Sequence, residues 1–326
     1  MKLQILVPQY KETEEVLKPL LDSIAIQQNV DLANEVGVII VNDGSDVILD
    51  ETIFDRYPFK IQYFLAHHGG VSAARNAALD AAEAEYVMWC DADDMFYNAC
   101  GLWIIFREME NGGFDGLVSV FIEETRDPAT KDVLYINREN DQTFVHGKVW
   151  RRQYLLDNKI RWNPGLTIHE DSYFNILARS LSQNIKYCIS SFYLWKWRDE
   201  SVCRHDPKYM LKTYQNFIES NDALVGEFLS RGNEASAREC CAFMLLDAYY
   251  TMNKPEWLNQ ENVEYRDATE RRLAEYYRNR KELWDSTDNM AKMLISNGVR
   301  GRLVGEGMEM ERLTVNDWLN YVEGLL

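Results

Sequence analysis

Residues 85–94 read Glu85-Tyr86-Val87-Met88-Trp89-Cys90-Asp91-Ala92-Asp93-Asp94, and this stretch decides the fold. An apolar run that stops at three carboxylates within four positions is a buried strand ending in a polar loop. Two earlier stretches share the pattern. Lys2–Pro8 (KLQILVP) runs into Gln9-Tyr10, and Glu35–Val41 (EVGVIIV) runs into Asn42-Asp43-Gly44-Ser45-Asp46. Lys60–Leu65 is a further strand. Helical spacing separates these runs: Val16, Leu17, Leu20, Leu21, Ile24 and Ala25 within residues 13–28, then the Ala-rich Val71–Ala84. Strand and helix alternating in this way predict an open α/β sheet, which binds ligands at the carboxyl ends of its strands. All three polar clusters, Pro8-Gln9-Tyr10, Asn42–Asp46 and Asp91–Asp94, fall at such ends.

Farther along, the alternation loosens. FDGLVSVFIEE (114–124), DVLYIN (132–137) and QTFVHG (142–147) read as strands, Lys148–Asn158 and Glu170–Leu181 as helices, and Ile185–Ile189 and Phe192–Trp197 as two late strands. After Pro207 the sequence turns to long helical patterns. The expected organisation is therefore an α/β part over residues 1–206 and an all-helical part over residues 207–326.

Composition narrows the function. The 326 residues carry a net charge of −17, which disfavours a protein held on nucleic acid or on an anionic membrane by its general field. The excess is uneven, −12 over residues 1–206 and −5 over 207–326. The opening MKLQILVPQYKETEE has too short an apolar run for a leader, and no stretch reaches the ~20 apolar residues of a membrane span. The six cysteines form no CxxC pair, so reduced thiols and a cytoplasmic location are expected.

Each cluster has a plain reading and a chemical one. Asp91-Ala92-Asp93-Asp94 reads as an acidic turn or helix cap, or as the oxygen ligands that Mg²⁺ and Mn²⁺ favour. Asn42–Asp46 is turn chemistry, or places an Asp against a nucleobase N–H. Gly69-Gly70-Val71-Ser72-Ala73-Ala74-Arg75-Asn76 opens a helix whose N-terminus suits an anion. His169-Glu170-Asp171 reads as a helix start or as a catalytic acid pair.

Together, Val7-Pro8-Gln9-Tyr10, Val41–Asp46, Gly70–Asn76 and Asp91–Asp94 resemble, in order and spacing, the nucleotide-sugar-binding half of family 2 glycosyltransferases. Lys11 and Asn42 depart from the family's usual Asn and Asp. The segment His146–Arg152, the pair Glu170-Asp171 and Trp195–Ser201 continue the resemblance to about residue 205. It implies a glycosyltransferase A fold: an open mixed sheet, here followed by a helical domain for acceptor binding or oligomerisation. It also implies an inverting transferase with Mn²⁺ or Mg²⁺, taking a hexosyl or N-acetylhexosaminyl unit from a UDP-sugar to an acceptor hydroxyl on a carbohydrate, glycopolymer, lipid-linked or similar acceptor.

The roles implied are as follows. Pro8, Tyr10 and Asp43 hold the base, and Asp91 binds the ribose side. Arg75, Asn76 and Arg198 contact the diphosphate or sugar. Asp93 and His205 hold the metal. Asp171, beside Glu170, is the base. The alternative is a nucleotide-sugar-binding scaffold without turnover. The resemblance does not extend to the helical part. Its aromatic residues read as core, and Arg271, Arg272, Arg278, Arg280 and Lys281 read as a solvated face rather than a site for an anionic acceptor such as a teichoic-type polymer, a phosphorylated lipid or DNA. A homo-oligomer is left open.

Overall fold

The computed structural model describes residues 1–127, 129–198, 206, 208–304 and 314–325. They form two compact units, Met1–Ser201 and Val202–Leu326. His205, the expected second metal ligand, lies outside the described residues.

The first unit is built on a nine-stranded mixed sheet. Four parallel strands come first in the chain: β1 (Leu3–Gln9), β2 (Val36–Asp43), β3 (Lys60–Ala66) and β4 (Tyr86–Trp89). β1 lies in the middle, with β2 and then β3 on one side and β4 on the other. The strand order therefore reverses between β1 and β4, and a crevice opens at the carboxyl ends of strands at such a reversal. All eight residues of β2 are buried, as the unbroken apolar run requires of a strand covered on both faces. The helices α1 (Glu14–Ala25), the single turn α2 (Leu32–Glu35) and α3 (Val71–Ala81) connect these strands, and α3 packs on β1 and β2.

Beyond β4 the sheet turns mixed. β5 is the two-residue strand Met95–Phe96, followed by α4 (Gly101–Glu110). β6 (Gly116–Arg126) pairs antiparallel with β7 (Val133–Arg138) and with β8 (Lys148–Arg151), and parallel with β9 (Ile185–Trp195). β8 closes the sheet against β4. The short α5 (Arg152–Asp157) and α6 (Glu170–Ser180) lie between β8 and β9.

Four details differ from the expectations. Lys148–Arg151 is a strand, and helix begins only at Arg152. Val149 and Trp150 are drawn into the sheet opposite Met88 and Val87, a tertiary pairing that helical spacing does not reveal. Residues 142–147 are not a strand. They loop out between β7 and β8, which both pair with β6. The two late strands are one, with an irregular register between Ser119 and Phe121 of β6 absorbing the break. The helix Gly101–Glu110 and the strand Met95–Phe96 are additions.

The second unit is helical: α7 (Tyr209–Ser230), α8 (Glu234–Met252), α9 (Pro255–Leu258), α10 (Val263–Ser286), α11 (Asn289–Leu303) and α12 (Val315–Glu323). Buried hydroxyls tie its core. Tyr214 donates to Asp247 at 2.6 Å and Tyr276 to Asn221 at 2.7 Å. Tyr276, Tyr277 and Trp284 of α10 are buried. Arg272 and Arg280 reach Asp222, and Lys281 reaches Glu323, so three of the five basic residues in that stretch carry acidic partners. No helix among the described residues is long and apolar enough to cross a membrane. Among the described residues no cysteine forms a disulfide.

Candidate active site

A cavity of about 390 Å³ opens where β1, β2 and β4 end, and the starts of three loops and one helix line it. Pro8, Gln9, Tyr10 and Glu12 come from the end of β1, Asp43 from β2, Gly70, Val71 and Arg75 from the start of α3, and Asp91, Ala92 and Asp93 from the loop after β4.

Asp43 is buried. Its carboxylate oxygens accept the Gly69 and Gly70 N–H groups at 2.8 and 2.9 Å, and His68 Nδ1 lies 2.9 Å from Oδ2. It fixes the loop that opens α3. Gly44 permits this packing: its φ is +71°, and a Cβ there would stand 2.4 Å from the His68 nitrogen. Asn42 shapes the same turn, accepting from Ser45 N–H at 2.7 Å and donating to Val47 O at 3.0 Å. Tyr10 and His68 stack at 4.9 Å between ring centroids, forming a flat aromatic face at the mouth.

Arg75 sits at the centre. It is 3% exposed, and its ring neighbour is Trp162, 4.3 Å from the guanidinium. Nη1 donates to Asp171 at 2.7 Å and Glu170 at 3.0 Å, and Nη2 donates to Asp91 at 3.1 Å. Burial opposes its charge, but the carboxylates of Asp171, Asp91 and Glu170 prevail and hold its pKa above the ordinary arginine value. The guanidinium therefore links the loop after β4 to the first turn of α6, residues far apart in sequence.

Glu170 and Asp171 occupy the first turn of α6, where the helix dipole favours negative charge. The helix begins from His169 in a left-handed conformation, φ +62°. Asp171 also accepts the Val145 N–H at 3.0 Å. Burial first, and the adjoining Asp171 second, push the Glu170 carboxyl up to about 7 against the pull of Arg75. Neither acid lines the cavity. They adjoin it through Arg75.

Burial raises Asp91 to about 6, with Arg75 pulling it down and Asp93 pushing it up. Asp93 pairs with Arg198 at 2.9 Å. Asp94 is 1% exposed, accepts from Tyr193 Oη at 2.5 Å and from Lys196 N–H at 2.9 Å, and burial drives its pKa well up. Ligand atoms of Asp91, Asp94 and His146 lie within 4.8 Å of one another. His146 is enclosed by rings, stacking on Tyr193 at 5.0 Å and on Phe144 at 5.6 Å.

The structure thus brings Pro8, Tyr10, Asp43, Arg75, Asp91 and Asp93 around one cavity, with Glu170, Asp171 and Arg198 one contact away. Asn76 is placed elsewhere. Its amide donates to the Trp162 carbonyl at 2.9 Å and accepts the Trp162 N–H at 3.0 Å, so it brackets the chain that puts the Trp162 ring beneath Arg75. Asn76 does not line the cavity, and both ends of its amide serve the Trp162 backbone. Sequence reasoning missed His68, Trp162 and the ring-bound His146. His68 carried a signal, as a polar residue between a strand end and paired glycines, and His146 opened a segment that shares the family resemblance.

Comparisons with known proteins bear on the family and the fold. A sequence model described as Glycosyl transferase family 2 matches residues 4–191. Glycosyltransferase GlyA of Streptococcus pneumoniae is 26% identical over 62% of this chain and 32% of its own length. The poly(ribitol-phosphate) beta-N-acetylglucosaminyltransferase TarS of Staphylococcus aureus is 23% identical over 79% of this chain and 48% of its own. The chain therefore spans a third to a half of these relatives. Crystal structures of TarS residues 1–349 share the fold. One has a TM-score of 0.61 at 17% identity over 96% of this chain and 99% of that one, and the complex with UDP-GlcNAc has a TM-score of 0.59 at 20% identity over 96% and 100%. With the family match spanning more than half of its residues and the fold shared, the chain belongs to glycosyl transferase family 2.

Proposed function

We propose that the chain is an inverting, metal-dependent transferase. It moves a hexosyl or N-acetylhexosaminyl unit from a UDP-sugar to a hydroxyl of a glycopolymer, on the cytoplasmic side. The observation that carries the reading is the meeting, around one cavity at the β1/β4 reversal, of an acidic loop and, through Arg75, an acid pair on α6. The UDP complex of TarS and its poly(ribitol-phosphate) acceptor support the donor and acceptor classes.

Tyr10 and His68 offer the base a stacking face, with Pro8 beside it. A carboxylate has about four acceptor sites, so Asp43 keeps capacity for a base N–H after serving its own loop. Asp91 and Asp93 fit a divalent cation. Both line the cavity, their oxygens suit Mg²⁺ or Mn²⁺, and the Arg198 guanidinium already marks Asp93 as a cation partner. Asp94 fits less well, because its two oxygens serve Tyr193 and Lys196 and it does not line the cavity. A cation bound there would neutralise charge on the departing diphosphate. Arg198, released from Asp93, reaches the same phosphates. Arg75 orients Asp171, which takes the acceptor proton as the acceptor oxygen attacks the anomeric carbon from the opposite face. One displacement gives inversion.

The test is UDP release from UDP-glucose, UDP-galactose and UDP-N-acetylglucosamine with Mn²⁺ or Mg²⁺. Turnover with one donor, lost in Asp93→Ala, supports the reading. UDP binding with no turnover on any donor contradicts it and favours the scaffold.

A further inference from the structure

Lys148, at the start of β8, and Asn175, one turn after Asp171 on α6, are both buried. A buried amine is costly unless it is hydrogen-bonded, and burial pushes this one below the usual lysine range while Asp141 opposes the shift. Lys148 Nζ donates to the Phe144 carbonyl and stands 3.4 Å from Asp141 Oδ1. Asn175 Nδ2 donates to the same Phe144 carbonyl at 3.1 Å, to Thr143 O at 2.8 Å and to Asp171 O at 3.0 Å. Two buried side chains from separate elements thus converge on one carbonyl of the loop before β8.

That carbonyl belongs to the peptide unit that holds the acid. The peptide joining Phe144 to Val145 is planar and trans, so its C=O and N–H point in opposite directions. The C=O faces Lys148 and Asn175, and the N–H donates to Asp171 Oδ2 at 3.0 Å. Fixing the carbonyl therefore fixes the direction of the N–H. Two donors on the oxygen also polarise the amide and strengthen its N–H as a donor. The loop is pinned on either side of this unit. Asp141 Oδ1 accepts the Thr143 and Phe144 N–H groups at 2.9 and 2.8 Å, and Gly147 O accepts from Ser119 Oγ at 2.8 Å.

We propose that Lys148 and Asn175 are positioning residues for Asp171, acting through the Phe144–Val145 peptide. They aim the N–H that holds Asp171 Oδ2, while Arg75 holds Oδ1. The carboxylate is gripped from two directions, and turning it breaks one bond or the other. Each oxygen keeps acceptor capacity for the proton of the attacking hydroxyl. Neither Lys148 nor Asn175 lines the donor cavity, so their loss leaves nucleotide binding intact. The role presupposes that Asp171 is the base.

The test uses the full chain, with circular dichroism confirming the fold of each variant. Turnover is read as UDP release from the accepted donor, UDP affinity by calorimetry, and the Val145 amide by hydrogen exchange. Lys148→Met should lower turnover by about 10²-fold, the cost of misplacing a reacting group by about 1 Å, with UDP affinity within about twofold. Val145 exchange should rise by about tenfold or more as its bond to Asp171 loosens. Asn175→Ala removes the other donor to the Phe144 carbonyl and should act the same way, so it carries the test if Lys148→Met does not fold. Added to Asp171→Asn, Lys148→Met should slow turnover no further, because residues that act as a unit are not additive. Wild-type turnover or unchanged Val145 exchange in both single variants overturns the proposal. So does a double variant about tenfold slower than Asp171→Asn, or a loss of UDP affinity that matches the loss of turnover, since either marks a general structural role. Full turnover in Asp171→Asn, or a wild type that releases no UDP, overturns the base itself and the positioning role with it.

Discussion

Arg75 shows what one buried cation can organise. It serves three half-buried carboxylates from two separate segments, and removing it takes the shared cation from all three, leaving Asp171 the Val145 N–H. Arg75→Met should lower stability by about 3–5 kcal/mol, the usual cost of stranding buried charge. Denaturant unfolding measures this, and a loss below about 1 kcal/mol contradicts the hub. Glu170 makes a prediction with a sign. Its folded pKa of about 7 lies above the ordinary glutamate value of 4.5, so between the two the folded protein holds a proton there that the unfolded chain releases. The stability so contributed is complete below pH 4.5 and is lost as pH rises through 7. Gln mimics the protonated form and does not titrate. The melting temperature of Glu170→Gln relative to wild type should therefore climb by a few degrees between pH 5 and pH 8. A difference that does not change with pH contradicts it. Gly44→Ala should be poorly tolerated, because its Cβ would press on the His68 backbone at 2.4 Å and on the loop held by Asp43.

At the scale of elements, the site is a meeting of loop ends, and legibility follows from that. The loops after β1, β2 and β4 are local in sequence, so Tyr10, Asp43 and Asp91 could be placed at one sheet edge from alternation alone. The bracket of Asn76 on Trp162 joins residues 86 positions apart and left no local pattern. The same holds for β8. Its residues pair with β4, about 60 positions earlier, and that pairing overrides a helical pattern starting at Lys148. His146 sits in a segment whose resemblance was visible, but its enclosure by Tyr193, Phe144 and Trp195 depends on β9. Asn76→Ala removes both bonds to Trp162 and should cost about 1–3 kcal/mol. Turnover should fall with little change in donor affinity, since Trp162 supports Arg75 and not the cavity wall. An Asn76→Ala enzyme with full turnover would mean the bracket is confined to folding.

Over the whole chain, charge is spent where the chemistry is proposed. The first 206 residues carry −12 of the total −17, and Asp43, Asp91, Asp93, Asp94, Glu170 and Asp171 contribute to it. A general negative field does not bar a polyanionic acceptor. It requires that cations bring the donor in and that local basic groups hold the acceptor. In the helical unit, Arg272, Arg280 and Lys281 are already paired, which leaves less free basic surface there than the sequence suggests. The central claim concerns Asp171, held by Arg75 and the Val145 N–H at the edge of the cavity. The most direct measurement compares Asp171→Asn with wild type for UDP affinity and for UDP release from the accepted donor. The account predicts UDP affinity within about twofold and turnover lowered by about 10²–10⁴, the range of a lost general base. Turnover near the wild-type rate with UDP still bound would contradict it.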